Sequence, residues 1–157
     1  MGVLQHVQHQ ISSLNDLIKI NNDRIAGYEK ANESTNEIGL NLLFKEYIDQ
    51  SKANVSDLKE YIHVLGGDPT DGTSLSGKLN NTWIDVKAAF GSKDRHGILA
   101  DCERAEDVAK KAYRAALDDK ELIWEDQQVV FILKKHLESL IVAHDTIKAL
   151  RDAEVNA

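Results

Sequence analysis

Four stretches of this 157-residue chain repeat apolar side chains every three or four positions, and no other pattern in it is as regular. That period belongs to a helix packed along one face, and there is almost no alternation of the kind a strand needs. The first stretch, SSLNDLIKINNDRIAGYEKAN, sets Leu14, Leu17, Ile18, Asn21, Ile25 and Tyr28 on one stripe, with Ser13 and Asp16 at capping-box spacing. The second opens on Ser34 and Glu37 at the same spacing and closes on Gly66, and its stripe is Leu42, Leu43, Glu46, Gln50, Ala53, Leu58, Ile62 and Leu65. The third carries Leu99, Cys102, Glu106, Ala109, Tyr113 and Ala116 in an alanine-rich run of good helix formers. The fourth begins near Asp118 or Asp119 and carries Val130, Leu133, Leu137, Leu140, His144 and Ile147.

The only proline, Pro69, lies in GGDPTDGTSLSG, which reads as the main loop, about residues 66–76. After it, LNNTWIDVKAAFGS places Leu79, Trp83, Val86 and Phe90 on one side of a short connector helix over residues 79–90. The expected architecture is therefore all-α: an up-down four-helix bundle with two short turns and one long crossover between helices two and three. That connectivity is of ferritin-like type. The length suits one domain, 1–157, with its core over about 12–152.

Composition narrows the function classes. Hydrophobic residues are 42% and charged residues 29%, a soluble globular balance. No apolar run approaches the roughly 20 residues that span a bilayer, and the start MGVLQHVQHQISSLND lacks the charged and apolar regions of a secretory signal. A cytoplasmic location is expected, and the single Cys102, which has no partner for an internal disulfide, agrees with it. A net charge of −7, with no cluster of lysines or arginines, argues against nucleic acid as a partner.

Six segments, LNDLIKINNDRIAGYEKA, LFKEYIDQ, LGGDP, TWIDVKAAF, CERAEDVAKKAYRAAL and AHDTI, together resemble a bacterial family of four-helix-bundle proteins of unknown function in the ferritin-like superfamily. The resemblance spans roughly residues 12–151. It implies the fold, a distant relation to rubrerythrin-type di-iron bundles and a loose link to stress, but no substrate. A di-iron bundle takes a Glu from each of two helices and a Glu-x-x-His from each of the other two, because two iron ions need bridging carboxylates and imidazoles. Against that pattern, Glu106 and His144 match, whereas Tyr28 replaces a Glu, Ile141 precedes His144, and Ser51 and Asn54 stand in the second helix's register unless a slip brings in Glu46 or Gln50. Two matching ligands cannot hold two ions. A single-ion site of Glu106, His144 and Glu46 or Glu103 is the metal-binding alternative. The opposing reading is a buried polar cluster in which Glu106, His144 and Tyr28 satisfy one another.

His63 and His136 read as surface residues, and His6 and His9 as part of a frayed end able to chelate a metal adventitiously. Cys102 reads as a buried thiol, and GGDPTDG as a turn, since it follows no strand. Trp83 and Trp124 adjoin loops. Leu122, Ile123, Val129, Val130, Phe131 and Ile132 make the fourth helix apolar on more than one side, which points to a homo-oligomer. The expected function is a non-catalytic structural or interaction protein with a degenerate metal site and no cofactor. Its rival is an iron- or manganese-binding oxidase or metal store.

Overall fold

A computed structural model describes residues 2–74 and 94–155 of the chain. Four helices account for most of them: α1 (Val3–Glu33), α2 (Ile38–Val64), α3 (Arg95–Asp118) and α4 (Gln127–Val155). There is no strand among the described residues. None of their helices is long and apolar enough to cross a membrane. The connector expected over 79–90, with Trp83 and Phe90, lies outside the described residues.

Side-chain pairings give the helix directions. Moving up α1, His9 meets Asp119, Asn21 meets Tyr113 and Arg24 meets Glu106, so α1 and α3 are antiparallel. Tyr61 bonds Asp126 and Asp57 bonds His136, so α2 and α4 are antiparallel too. With tight turns joining α1 to α2 and α3 to α4, the order is up, down, down, up. Because α2 and α3 run the same way, the end of α2 and the start of α3 lie at opposite ends of the bundle. Residues 68–74 run along α1. Asn15 donates to the Asp68 carbonyl and accepts from the Thr70 amide, Asn22 donates to the Gly72 carbonyl, and Asp23 accepts from the Ser74 amide. Gly66, at φ +80°, turns the chain out of α2 in the left-handed conformation that glycine adopts without penalty. Gly67 lies against Ile11, where a Cβ would come within 2.8 Å of the isoleucine.

Several boundaries differ from the sequence expectation. α1 starts at Val3 rather than near Ser13, so His6 and His9 are helical, and His9 is tied to Asp119 instead of fraying. Ser34 does not cap α2. Its hydroxyl donates back to the Lys30 carbonyl and ends α1, the local alternative open to serine at a helix terminus, while Glu37 occupies the N-cap of α2. α4 begins at Gln127, not near Asp118 or Asp119. Asp119 and Asp126 accept from the Glu121 and Gln128 amides, and Trp124 donates its indole N–H to the Ala116 carbonyl, which together hold residues 119–126 as a turn.

The α3 stripe is buried along its whole expected line, from Leu99 to Ala116. The α2 stripe is not. Leu40, Phe44, Tyr47, Ile48, Ser51, Asn54, Leu58 and Ile62 face inward, whereas Leu42, Glu46 and Ala53 are exposed. On α4 the buried line is Val129, Leu133, His136, Leu140, Ala143 and Ile147, so the inward histidine is His136. The interior forms two apolar clusters. One centres on Leu14, Leu17, Leu58 and Leu133, and the other on Tyr28, Phe44, Leu99 and Ile147.

Candidate functional site

Between the two apolar clusters lies a polar waist. Every side chain in it comes from a helix position that would otherwise carry a core residue. Arg24 of α1 is its centre, 1% exposed, and Glu106 of α3 is fully buried. Arg24 Nε donates to Glu106 Oε1 at 2.6 Å and Nη2 donates to Oε2 at 3.1 Å, the two-pronged geometry that matches a guanidinium to a carboxylate. Nη1 donates to Ser51 Oγ at 2.9 Å and to the Tyr47 carbonyl at 3.2 Å, and Nη2 also reaches Gln50. The rings of Tyr28 and Tyr47 lie 5.4 and 5.3 Å from the guanidinium carbon, close enough for cation–π attraction. Burial works to lower the Arg24 pKa, but the adjoining Glu106, Tyr28 and Tyr47 hold it above its ordinary value. Burial, with Glu106 close by, pushes the Tyr28 and Cys102 values up. Cys102 is a sealed thiol, far from the conditions that make a nucleophile.

One turn away, a second set of bonds links all four helices. Asn54 of α2 donates to Asn21 of α1 at 3.1 Å, Asn21 donates to the Tyr113 hydroxyl of α3 at 2.9 Å, and that hydroxyl lies 2.9 Å from Nδ1 of His136 on α4. His136 Nε2 in turn lies 2.9 Å from Asp57, back on α2. Asp57 as a carboxylate only accepts, so a neutral His136 with its hydrogen on Nε2 satisfies every link, with Tyr113 donating to Nδ1. Burial lowers the His136 pKa below its ordinary value, against the opposing pull of Asp57.

The residues singled out from sequence are brought together only in part. Glu106 and Tyr28 share the waist, but the partner of Glu106 is Arg24, and His144 is not in the cluster. His144 lies at the edge of the α3–α4 seam, 12% exposed, with Nε2 at 3.0 Å from Asp107 and 3.5 Å from Glu103, and Nδ1 at 3.0 Å from Asp145. Glu46 is exposed on α2, turned away from the interior. The single-ion set of Glu106, His144 and Glu46 is therefore not assembled, and a dinuclear set does not fit either, because Arg24 holds both Glu106 oxygens. Among the described residues, two other groups bring three potential ligand atoms together: Glu103, Asp107 and His144, and His9, Asp119 and Glu121. In the first, Arg151 pairs with Glu103 and Lys110 lies 3.3 Å from Asp107, so cations of the protein already serve its carboxylates.

Sequence reasoning missed Arg24 and His136. Arg24 lies three residues after Asn21 and four before Tyr28, on the stripe already recognised, and that spacing was the available signal. His136 lies three after Leu133 and four before Leu140, as good a fit to the α4 line as Leu137.

Glu106→Gln leaves the Arg24 charge buried without its counter-ion and should cost about 3–5 kcal/mol in urea unfolding, whereas Arg24→Met combined with Glu106→Leu should recover much of that loss. His136 has a depressed folded pKa, so the unfolded chain binds the extra proton. Its contribution to stability should therefore be complete above about pH 6.5 and decline as pH falls through that value toward the folded pKa. The difference in unfolding free energy between wild type and His136→Gln should shrink from pH 7.5 to 5.5, with a slope of at most about 1.4 kcal/mol per pH unit.

No curated protein matches the chain. A family model, described as a domain of unknown function, DUF2383, matches residues 9–119. That match covers α1 from His9 onward, α2 and α3, including both halves of the Arg24–Glu106 pair, and the chain belongs to this family.

Proposed function

We propose that the chain is a non-catalytic structural or interaction protein of ferritin-like type, stress-associated and self-associating, whose interior carries a protein cation where a dinuclear bundle carries metal. The observation that carries this reading is the Arg24–Glu106 pair. Glu106 stands at the position that the ferritin-like pattern assigns to a ligand, and both of its oxygens accept from one guanidinium at 2.6 and 3.1 Å. Tyr28 and Ser51, at two further positions of that pattern, also face Arg24. A guanidinium is always charged and supplies its own donors, so this interior is neutralised without an ion. The helix order supports the ferritin-like assignment, since one long crossover between parallel α2 and α3 is the connectivity of that bundle class.

Self-association is supported by apolar side chains left on the outside of α4, where Phe131 is 67% and Val142 63% exposed. Sedimentation at micromolar concentration should show a dimer or larger species, and a monomer of 17.5 kDa at every concentration would remove this part of the proposal.

The second reading, iron or manganese binding, draws on one observation: His144 Nε2 faces Glu103 and Asp107 while Asp145 holds the other ring nitrogen, the arrangement that orients ligand histidines. Untagged protein from iron- and manganese-supplemented cells separates the two. The expected result is metal far below one ion per chain and a melting temperature unmoved by a chelator. Stoichiometric metal, with a chelator-induced fall of several degrees that His144→Leu abolishes, would establish the second reading, because a ligand of the folded state alone stabilises it by mass action.

A further inference from the structure

A cavity of about 230 Å³ opens at the end of the bundle where α1 begins, α2 ends and the α3–α4 turn passes. Its apolar wall is made by Val7, Val64, Leu65, Trp124 and Val129. Val64 is 71% exposed, and Val3 at the rim is 79% exposed, so apolar surface here faces water in the free protein. The polar side of the cavity has one sign of charge. Glu125 and Asp126 line it, and among the described residues no lysine or arginine does. Asp126 is held in place, one oxygen accepting from the Gln128 amide and the other from the Tyr61 hydroxyl at 3.3 Å. His6 completes this side, and its Nδ1 is sealed from solvent with no hydrogen-bond partner among the described residues.

We propose that this cavity binds a small amphiphilic cation, an alkyl- or aryl-ammonium whose apolar body packs on Trp124 and the valines and whose ammonium group meets Glu125 and Asp126. The size sets the class, since the volume is below that of sites for drug-sized ligands. The carboxylates set the sign of the head group, and the chain's net charge of −7 favours the same sign. Nothing in this assignment involves the Arg24 waist, so it stands or falls separately from the proposed function.

The test uses 2-phenylethylammonium as the probe, titrated into the full chain by calorimetry, with the Trp124 indole N–H followed by NMR. The neutral 2-phenylethanol and the anionic 3-phenylpropanoate are run alongside. One-to-one binding of the cation should shift the Trp124 signal, with the alcohol at least about tenfold weaker and the anion weaker still. Glu125→Lys changes an exposed side chain at the rim, so circular dichroism should be unchanged and affinity for the cation should fall about tenfold or more. Equal binding of cation and alcohol, an unshifted indole signal, or undiminished affinity in Glu125→Lys would each overturn the proposal. Binding of a basic amphipathic peptide with no binding of the small cation would overturn it in favour of a protein-docking surface.

Discussion

A guanidinium sealed inside a helical bundle imposes stricter demands than any apolar contact around it. Removing a charge from water costs several kcal/mol unless a counter-ion and hydrogen bonds replace the lost solvation. Arg24 obtains them from two directions at once, with Glu106 arriving from α3 and Ser51, Gln50 and the Tyr47 carbonyl from α2. Three helices are thus required at one height, with their rotations set within hydrogen-bonding tolerance. Apolar seams alone tolerate sliding by a turn, but this arrangement does not. The adjoining links from Asn54 through Asn21, Tyr113 and His136 to Asp57 bring in α4 at nearly the same level. The waist sets the register of the bundle, and the two apolar clusters on either side supply the burial that drives it together.

That division bears on function. A bundle interior that hosts redox metal keeps carboxylates and imidazoles facing an open volume, whereas this one closes its carboxylate onto a fixed organic cation. Acids and histidines remain available mainly at the margins, where Glu103, Asp107 and His144 lie among Arg151 and Lys110. The exposed apolar side chains also lie at the margins, on the outer face of α4 and at the end of the bundle near Val3 and Val64.

The sequence was legible where apolar spacing is unambiguous. The α3 stripe holds position by position, because its alanines and large apolar residues leave one continuous face. On α2 the same method failed. Ser51 and Asn54 occupy the inward line, so following apolar residues alone leads off it onto Leu42 and Ala53. The comparison with a ligand pattern had placed Ser51 and Asn54 in the interior register, and both are buried. On α4 the ambiguity was a single residue. A helical stripe steps by three or four, so Leu133 can be followed by His136 or by Leu137, and Leu140 by Ala143 or by His144. Taking Leu137 at the first step left His136 outside, and taking His144 at the second placed the wrong histidine inside.

The helical type of the four long segments was determined by the sequence itself, because apolar period is a local property. The partner of each buried polar group was decided only by the tertiary structure. Glu106 is separated from Arg24 by 82 positions and Asp57 from His136 by 79, and no local rule connects residues that far apart. Whether a buried carboxylate meets a metal, a histidine or a guanidinium depends on the relative rotation of neighbouring helices. That rotation is set by the packing of all four together.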